Sequence, residues 1–330
     1  MKLTLVRHGE SIWNATGTWQ GQSDVPLSAR GRLEARAVAD RLFDARFDHR
    51  VASDLSRAWE TAQAIGGALV AEPRLREIDV GAWAGMQRDE VAERFPDEVR
   101  ALRTGEPVRI GGGESVDGFE ARIDAVVDEL ASSHGGRDVL AVTHGGVVRA
   151  LTMRVLGVRG RMSPLVGVAN TSLTEVRFES APRLAVYNDA AHLEPADPEP
   201  AITPEATARV ALVAADPRAP ADRALADRIL SRLGIARFGA AGEAANASLS
   251  TDLVAEPLGA DANRALEVLR AEQDGGAFAL VLTPDEVVTT VCSLLALTGP
   301  SAFVPPAHGA VTQLRVSRRG ALLHSYAVAL

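Results

Sequence analysis

The sequence has only one cysteine and one lysine, and these low counts limit the kinds of cross-link, metal site and cation that the protein can have. Cys292 stands alone, which excludes an intramolecular disulfide and leaves no ligand set for a cysteine-based zinc site. Because Lys2 is the only lysine, nearly every cation is an arginine. A GC-rich genome is the simplest reason for this bias, but arginine also offers planar, bidentate phosphate donors wherever a site needs them.

Long apolar runs and an excess of positive charge are missing as well. No stretch reaches the roughly 18–20 uninterrupted apolar residues of a membrane span, and the apolar region at residues 287–297 is too short. The chain begins with a strand pattern and not with a signal peptide, so we expect a soluble, cytoplasmic protein without a membrane partner. The 35 basic and 43 acidic residues give a formal charge of −8, which argues against a nucleic-acid partner.

Strand and helix patterns alternate over the first 190 residues of the 330-residue chain. The strand patterns cover residues 3–6, 50–52, 139–142 and 173–178, and helix patterns lie between them. The helices at 29–43 and after 115 have Ser28 and Ser115 as candidate N-caps, and Ser53 or Asp54 is the candidate for the helix that contains Ala58. This alternation predicts an α/β fold, a doubly wound and mainly parallel sheet with helices on both faces.

Residues 81–113 interrupt the alternation. A short helix is expected at 87–95, where Pro96 would stop it, and three glycines at 111–113 predict a flexible return. An insertion at this point of the chain can fold over the strand ends as a cap.

Two of the apolar runs end in a histidine. His8 follows residues 3–6 in the segment RHGE (7–10), and His144 follows residues 139–142 in the segment THGG (143–146). The carboxyl ends of parallel strands share one edge of an open α/β sheet, and ligands bind at that edge. Two imidazoles, Arg7 and nearby helix N-termini therefore predict a site for an anion, and a phosphate fits them best.

A series of short motifs continues along residues 1 to about 180. They are RHGES (7–11), Asn14, QG (20–21), DVPLS (24–28), SDLSRA (53–58), LREIDVG (75–81), GGES (112–115), THGG (143–146) and ANTS (169–172). Each motif alone is a weak signal, but their order makes the set specific. The series resembles the histidine phosphatase superfamily, which has the phosphoglycerate-mutase-like fold.

The resemblance implies roles for five residues that carry chemistry. It makes His8 the nucleophile that forms a phosphohistidine, and it makes Arg7 and Arg57 the phosphate clamp. A covalent step splits one hard displacement into two easier ones, and the transferring phosphoryl group needs fixed positive donors. His144 matches the second histidine, which stabilises the transferring group. Glu77 matches the general acid, which protonates the leaving alkoxide and then deprotonates the attacking water.

Further residues follow from the same resemblance. Asn14 and Gln20 match polar phosphate contacts, and the backbone N–H of Gly145 is expected to be another donor at a helix N-terminus. Asp24 and Ser28 are expected to have structural roles, in a turn and a helix cap. The arginines do the work of a cation, so neither a metal ion nor another cofactor is implied.

The segment after Glu77 separates two branches of the superfamily. Its mutases carry Arg-His-Tyr directly after the acidic residue, whereas Glu77 is followed by Ile78-Asp79-Val80, which has no cation. The longer mutase insertion is also missing. The segment resembles the phosphatase branch, which contains broad-specificity, α-ribazole and glucosyl-3-phosphoglycerate phosphatases. We therefore predict a metal-independent phosphomonoesterase for small phosphorylated metabolites, with a cofactor-dependent phosphoglycerate mutase as the alternative.

The pattern of the first part starts again after a linker at residues 191–206, which is rich in proline and acidic residues. The run at 210–215 matches 3–8 and the run at 280–284 matches 140–144, with further matches in the same order. We predict a catalytic domain at 1–190 and, at 207–330, a smaller and degenerate α/β copy of the same fold. Chance similarity between segments rich in alanine, leucine and valine is the alternative.

The second copy carries Ala215 and Pro284 at the positions of the two histidines, so we expect it to be catalytically inert. Such a copy could support a homodimer, cover the mouth of the active domain or bind a partner. A hypothesis of another class therefore stays open, in which this is a regulatory or binding protein and its second domain is a pseudoenzyme module. The intact set of site residues before position 190 favours the enzyme.

Overall fold

The computed structural model describes residues 1–159, 163–193, 208–216, 219–233, 237–240, 254–257, 277–297, 300–317 and 320–329. The chain divides into two units, of which the first contains Met1–Ser163, Val168–Arg183 and His192–Glu194. The second contains Pro164–Gly167, Leu184–Ala191 and Pro195–Leu330. The predicted linker at 191–206 lies outside the described residues from 194 onward, so the predicted domain limits stay predictions. Within the described ranges, no helix has the length and apolar character that crossing a membrane requires.

The first unit is built on a five-stranded sheet. Its strands are β1 (Lys2–Arg7), β2 (His49–Ala52), β3 (Val70–Ala71), β4 (Asp138–Thr143) and β5 (Leu173–Phe178). They lie in the order β3-β2-β4-β1-β5, in which β5 is antiparallel to β1 and the other pairs are parallel. Residues 139–142 of β4 are at most 1% exposed, as expected for a strand covered on both faces. The predicted mainly parallel sheet is confirmed.

Helices cover both faces of this sheet. They are α1 (Ile12–Ala15), α2 (Ala29–Arg41), α3 (Ser56–Ile65), α4 (Arg88–Arg94), α5 (Pro96–Thr104), α6 (Val116–Ser133) and α7 (Gly145–Leu156). The predicted N-caps of α2 and α6 are confirmed, because the side chains of Ser28 and Ser115 accept hydrogen bonds from the N–H groups of Gly31 and Gly118. Val38, Ala58 and Ala62 of α2 and α3 pack with Val6 and Val142 of the sheet.

The N-terminus of α3 is capped from elsewhere in the chain. Its N-cap position is Leu55, which makes no side-chain cap bond. The Asp24 carboxylate instead accepts from the backbone N–H and the hydroxyl of Ser56, at 2.7 and 2.8 Å. The prediction that Ser53 or Asp54 caps this helix is wrong, because both side chains have partners in other elements.

The insertion at 81–113 contains two helices. Pro96 does not simply stop α4; it is the first residue of α5, where its missing N–H costs nothing. Two of the three glycines in the return are tightly packed, because Cβ atoms at Gly111 and Gly113 would lie 2.3 and 2.5 Å from the carbonyl oxygens of Val80 and Asp79, whereas Gly112 faces open space. Trp83 is fully buried in a cluster with Val80, Val91 and Ile110, so the insertion has its own small core.

The second unit also contains a sheet. Its strands are β6 (Pro182–Asp189), which belongs to this unit from Leu184 onward, β7 (Ala208–Ala214), β8 (Arg237–Ala240), β9 (Val254–Pro257), β10 (Ala277–Leu282), β11 (Ala310–Ser317) and β12 (Gly320–Ala329). Among the described residues of this unit, the order is β6-β12-β11-β7-β10-β8-β9, and the helices are α8 (Pro220–Leu233) and α9 (Pro284–Leu294). Val213, Val281 and Val311 are buried together in its core.

Five strands of the second unit repeat the arrangement of the first. The series β9-β8-β10-β7-β11 has the same order and the same strand directions as β3-β2-β4-β1-β5. This correspondence supports the predicted duplication, which remains a prediction because the described part of the second unit is incomplete.

One detail of the predicted alignment is wrong. The bond from Ala215 N to Leu282 O has the position and the 2.8 Å length of the bond from His8 N to Thr143 O. The residue after Leu282 is therefore the counterpart of His144, and it is Thr283, not Pro284. Both of these residues are helix N-caps. The alignment failed by one position because apolar strand residues are interchangeable in sequence, whereas the ladder fixes the register.

Candidate active site

Adjacent strands bring the two histidines of the sequence motifs together. β1 and β4 are parallel neighbours with Arg7 opposite Thr143, so His8 and His144 follow at the same edge of the sheet. Their ring centroids are 5.1 Å apart, and the two residues are 3% and 0% exposed. The imidazoles therefore meet at the carboxyl edge of the sheet, where the sequence predicts a ligand site.

Hydrogen bonds fix the orientation of His8. Its Nδ1 lies 2.6 Å from the carbonyl oxygen of Gly9, and because a carbonyl only accepts, Nδ1 carries the proton. Nε2 then carries the lone pair, which accepts a hydrogen bond from Arg57 Nε at 3.3 Å. The His8 carbonyl oxygen accepts from the side-chain amide of Asn170 at 3.0 Å. Both the ring and the backbone of His8 are thus held, and its basic nitrogen faces a guanidinium.

Burial lowers the pKa of both imidazoles well below the usual value of 6.5. For His8, burial is the largest cause, and the positive charges of Arg57 and Arg7 lower the pKa further. For His144, burial is again the largest cause and the charge of Arg57 comes next. Both rings are therefore neutral at pH 7, the state in which an imidazole is a nucleophile.

Two arginines supply the positive charge. Arg57, in the first turn of α3, is 1% exposed, and its terminal nitrogens donate to the carbonyl oxygens of Ser23 and Gly21 at 2.8 Å each. Burial lowers the pKa of Arg57 to about 10, so its guanidinium stays charged at neutral pH. The guanidinium of Arg7 donates to the carbonyl oxygen of Val168. A buried cation at a helix N-terminus opposes the helix dipole, which makes this a suitable place for an anion.

The carboxylate of Glu77 lies at the N-terminus of α7. Its Oε2 accepts from the N–H of Gly146 at 3.0 Å, and its Oε1 accepts from the N–H of Ile78 at 2.9 Å. A Cβ atom at position 146 would lie 2.1 Å from Oε1, so glycine is required for this approach. Gly145, the first residue of α7, has an N–H with no acceptor inside the helix. Both glycines directly follow His144.

Ser53 holds the second imidazole. Its Oγ lies 2.8 Å from His144 Nε2, and both side chains are fully buried. The other ring nitrogen, Nδ1, is buried and has no hydrogen-bond partner among the described residues. When the Ser53 hydroxyl donates to Nε2, the neutral ring carries its proton on Nδ1 as a donor. The sequence did hold a signal for this role, because Ser53 directly follows β2 at the same sheet edge as the histidines.

These groups together suit a phosphate ester. Arg7 and Arg57 are cations held by backbone carbonyls, α7 presents its N-terminus, and the two neutral imidazoles add a nucleophile and a donor. Glu77 adds a carboxylate that can exchange a proton. The arrangement can bind phosphoryl oxygens, attack phosphorus with a ring nitrogen and protonate a leaving group.

Residues 3–190 match the family described as "Histidine phosphatase superfamily (branch 1)". This protein belongs to the histidine phosphatase superfamily. The match covers every motif from RHGES to ANTS, and the resemblance inferred from those motifs is confirmed.

Curated relatives of this histidine phosphatase carry both mutase and phosphatase names. A probable phosphoglycerate mutase, GpmB, of Enterobacter sp. (strain 638) is 33% identical over 205 residues, which are 59% of this chain and 95% of that protein. Phosphoserine phosphatase 1 of Hydrogenobacter thermophilus is 34% identical over 184 residues, which are 54% of this chain and 87% of that protein.

Solved structures give the same result for the fold. A mycobacterial glucosyl-3-phosphoglycerate phosphatase in complex with VO3 has a TM-score of 0.53 and 33% identity, covering 57% of this chain and 98% of its own. A phosphoserine phosphatase of Entamoeba histolytica in complex with 3-phosphoglyceric acid has a TM-score of 0.54 and 28% identity, covering 58% and 99%. The predicted enzyme class, a phosphoric monoester hydrolase of the histidine phosphatase superfamily, is confirmed.

Asn14 and Gln20 lie in a polar network around Ser11. Asn14 Oδ1 accepts from the backbone N–H of Ser11 at 3.1 Å, and the backbone N–H of Asn14 donates to the Ser11 hydroxyl oxygen at 3.0 Å, in a capping box at the start of α1. Gln20 Oε1 accepts from the same hydroxyl at 2.7 Å. Both amides thus point their oxygens at Ser11, and their NH2 groups are the ends that remain to donate. No direct hydrogen bond joins either amide to the two histidines in the described part of this histidine phosphatase.

Proposed function

We propose that this protein hydrolyses small phosphate monoesters without a metal ion, through a phosphohistidine on His8. The observation that carries the proposal is the pair of buried, neutral imidazoles 5.1 Å apart, with the His8 lone pair on the nitrogen that faces Arg57. A neutral ring whose other nitrogen is tied to a carbonyl has only one nitrogen with which to attack.

The first half-reaction transfers the phosphoryl group to the enzyme. His8 Nε2 attacks phosphorus while the bond from phosphorus to the ester oxygen breaks, and Glu77 gives its proton to the leaving alkoxide. Arg7, Arg57 and the N–H of Gly145 bind the three equatorial oxygens, where the charge of the transition state is spread. A single charge pair at about 4 Å is worth about 4 kcal/mol at an effective dielectric constant of about 20.

The second half-reaction returns His8 to its starting state. Water attacks the phosphorus atom, the Glu77 carboxylate takes a proton from that water, and the bond from phosphorus to Nε2 breaks. Inorganic phosphate leaves, and Glu77 is again protonated. His144 donates from Nδ1 to a phosphoryl oxygen in both steps, which requires that Ser53 donates to Nε2.

The comparisons with known proteins support a class of substrate. The relatives include phosphatases named for phosphoserine and for glucosyl-3-phosphoglycerate, which supports small phosphorylated metabolites as substrates here. The relatives also include a probable phosphoglycerate mutase, so mutase activity beside hydrolysis is the second candidate. With 3-phosphoglycerate a hydrolase releases inorganic phosphate, whereas a mutase forms the 2-phospho isomer.

Substitution of His8 tests the mechanism. His8→Ala should abolish turnover of p-nitrophenyl phosphate. Rapid quenching of the unsubstituted protein in alkaline detergent should trap a phosphoryl group on His8 that is stable to base and lost in acid, found by peptide mapping under alkaline conditions. His308→Ala removes an exposed histidine of the second unit and should leave both results unchanged. Turnover by His8→Ala would remove the mechanism. Saturable phosphate binding without turnover in the unsubstituted protein would favour the regulatory alternative.

A further inference from the structure

Arg122 lies outside the family motifs. Its guanidinium contacts the backbone of residues 74–77, just before the insertion at 81–113. It lies on α6, and its side chain is 20% exposed. Its Nη1 donates to the carbonyl oxygens of Arg74 and Arg76 at 2.6 and 2.9 Å. Its Nη2 lies 3.3 Å from the carbonyl oxygen of Glu77. One guanidinium therefore contacts three carbonyl oxygens within four consecutive residues.

A carboxylate holds this guanidinium in place. Glu114 accepts from Arg122 Nε and Nη2 at 2.9 and 2.8 Å, and its side chain is 19% exposed. Glu114 is also joined to the same segment, because its N–H donates to the Asp79 carbonyl oxygen at 2.9 Å. Each nitrogen of the Arg122 guanidinium thus donates to an acceptor within the protein. Neither this guanidinium nor the Glu114 carboxylate is free to turn toward a ligand.

The segment that receives these bonds has little structure of its own. It begins within a short 3-10 turn at Pro73–Leu75 and carries Glu77, whose carbonyl oxygen also accepts from Gln22 Nε2 at 3.2 Å. Its position is therefore set by side chains from other parts of the chain, of which Arg122 makes the most contacts. The Glu77 carboxylate projects from this backbone to the N-terminus of α7.

We propose that Arg122 is a positioning residue for Glu77, which it holds within proton-transfer distance of the ester oxygen. This inference rests on the proposed role of Glu77 as the general acid. A general acid must lie within hydrogen-bond reach of the oxygen it protonates, and a displacement of about 1 Å can cost about 100-fold in rate. Only a planar fork with several donors can span the three carbonyls, so the role needs the shape of arginine as well as its charge.

The test compares two esters that differ in their need for a proton. In Arg122→Lys the charge remains and the fork is lost. We expect kcat/KM for phenyl phosphate to fall about 10- to 100-fold, while kcat/KM for p-nitrophenyl phosphate, whose leaving group needs little protonation, falls less than about 3-fold. Arg159→Lys is the matched control, because Arg159 also pairs with carboxylates of α6, at Glu120 and Asp124, and should change neither value.

A double-mutant cycle with Glu77→Gln completes the test. If Arg122 acts only through Glu77, adding Arg122→Lys to Glu77→Gln should cost no further activity toward phenyl phosphate. Additive losses, equal losses on both esters or unchanged activity of Arg122→Lys would each overturn the inference. Equal losses on both esters in Glu77→Gln would overturn the acid role itself, so the two failures are distinguishable. Should Arg122→Lys not fold, Glu114→Gln releases the same guanidinium and should give the same selective loss.

Discussion

At the scale of single residues, each imidazole in the site uses one ring nitrogen for the fold and keeps the other. His8 uses Nδ1 for the Gly9 carbonyl, and His144 uses Nε2 for Ser53. These bonds decide which nitrogen can meet a phosphoryl group. It is Nε2 in His8 and Nδ1 in His144. The residue type alone does not show which of the two ring nitrogens is used.

The buried neutral histidines make folding stability depend on pH. The unfolded chain takes up protons on His8 and His144 near the usual pKa of 6.5, whereas the folded chain does so only well below it. Stability is therefore complete above about pH 6.5 and falls as the pH is lowered, by about 1.4 kcal/mol per pH unit for each ring. Urea unfolding between about pH 5 and pH 8 should show this slope.

The His8→Ala variant provides the internal comparison for this pH dependence. It should have a slope smaller by about 1.4 kcal/mol per pH unit, because the proton that unfolded His8 takes up is no longer involved. An identical slope in the two proteins would contradict the neutral, buried state of His8.

At the scale of elements, the N-terminus of α7 organises the site. Its first two residues are glycines, and the second lets the Glu77 carboxylate approach the helix backbone. The insertion at 81–113 shows the same dependence on close backbone contact, since its glycine turn packs on Val80. In both places glycine is required because a side chain would collide with a neighbouring group, and not because the helix or the turn itself needs glycine.

Gly146→Ala separates helix formation from catalysis. Alanine favours a helix by about 1 kcal/mol relative to glycine, so α7 itself gains. The added Cβ atom would lie 2.1 Å from Glu77 Oε1, so the carboxylate must move. We expect kcat/KM for phenyl phosphate to fall at least about 10-fold, with the folded structure retained by circular dichroism.

The control for this substitution is Gly135→Ala, where the added methyl group meets nothing within 4 Å. It should keep wild-type kinetics. Wild-type activity of Gly146→Ala would mean that Glu77 does not need its place at the helix end.

At the scale of the whole molecule, the two units share a strand order among their described residues, and we expect only the first to hold a site. Ala215 and Thr283 stand where the first unit has His8 and His144, and alanine has no group that can accept a phosphoryl. The predicted inert role of the second unit rests on this replacement. We therefore expect one covalent phosphate per chain in a burst quenched with alkaline detergent, and none in His8→Ala.

This stoichiometry is measured by labelling with a radioactive phosphate ester followed by peptide mapping. The label should fall only within residues 1–190. Two phosphates per chain, or any label in residues 207–330, would contradict the inert second unit.

The sequence by itself determined four of the five strands of the first sheet, the alternation of strands with helices and the pair of histidines at the sheet edge, but not the short strand β3. These follow from local signals: apolar runs of strand length, serine caps such as Ser28 and Ser115, and motifs that directly follow a strand. Each of them depends on residues close together in the chain, so a single sequence is enough to read them.

Only the tertiary structure decided which groups touch. Ser53 meets His144 across 91 positions, Glu77 meets Gly146 across 69, and Arg122 reaches the Glu77 carbonyl across 45. Two other features also depend on contacts between distant parts of the chain. They are the cap of α3 by Asp24 and the strand register that places Thr283 at the position of His144. Such contacts depend on how strands pair and helices pack, and no local pattern encodes a partner that lies a whole element away.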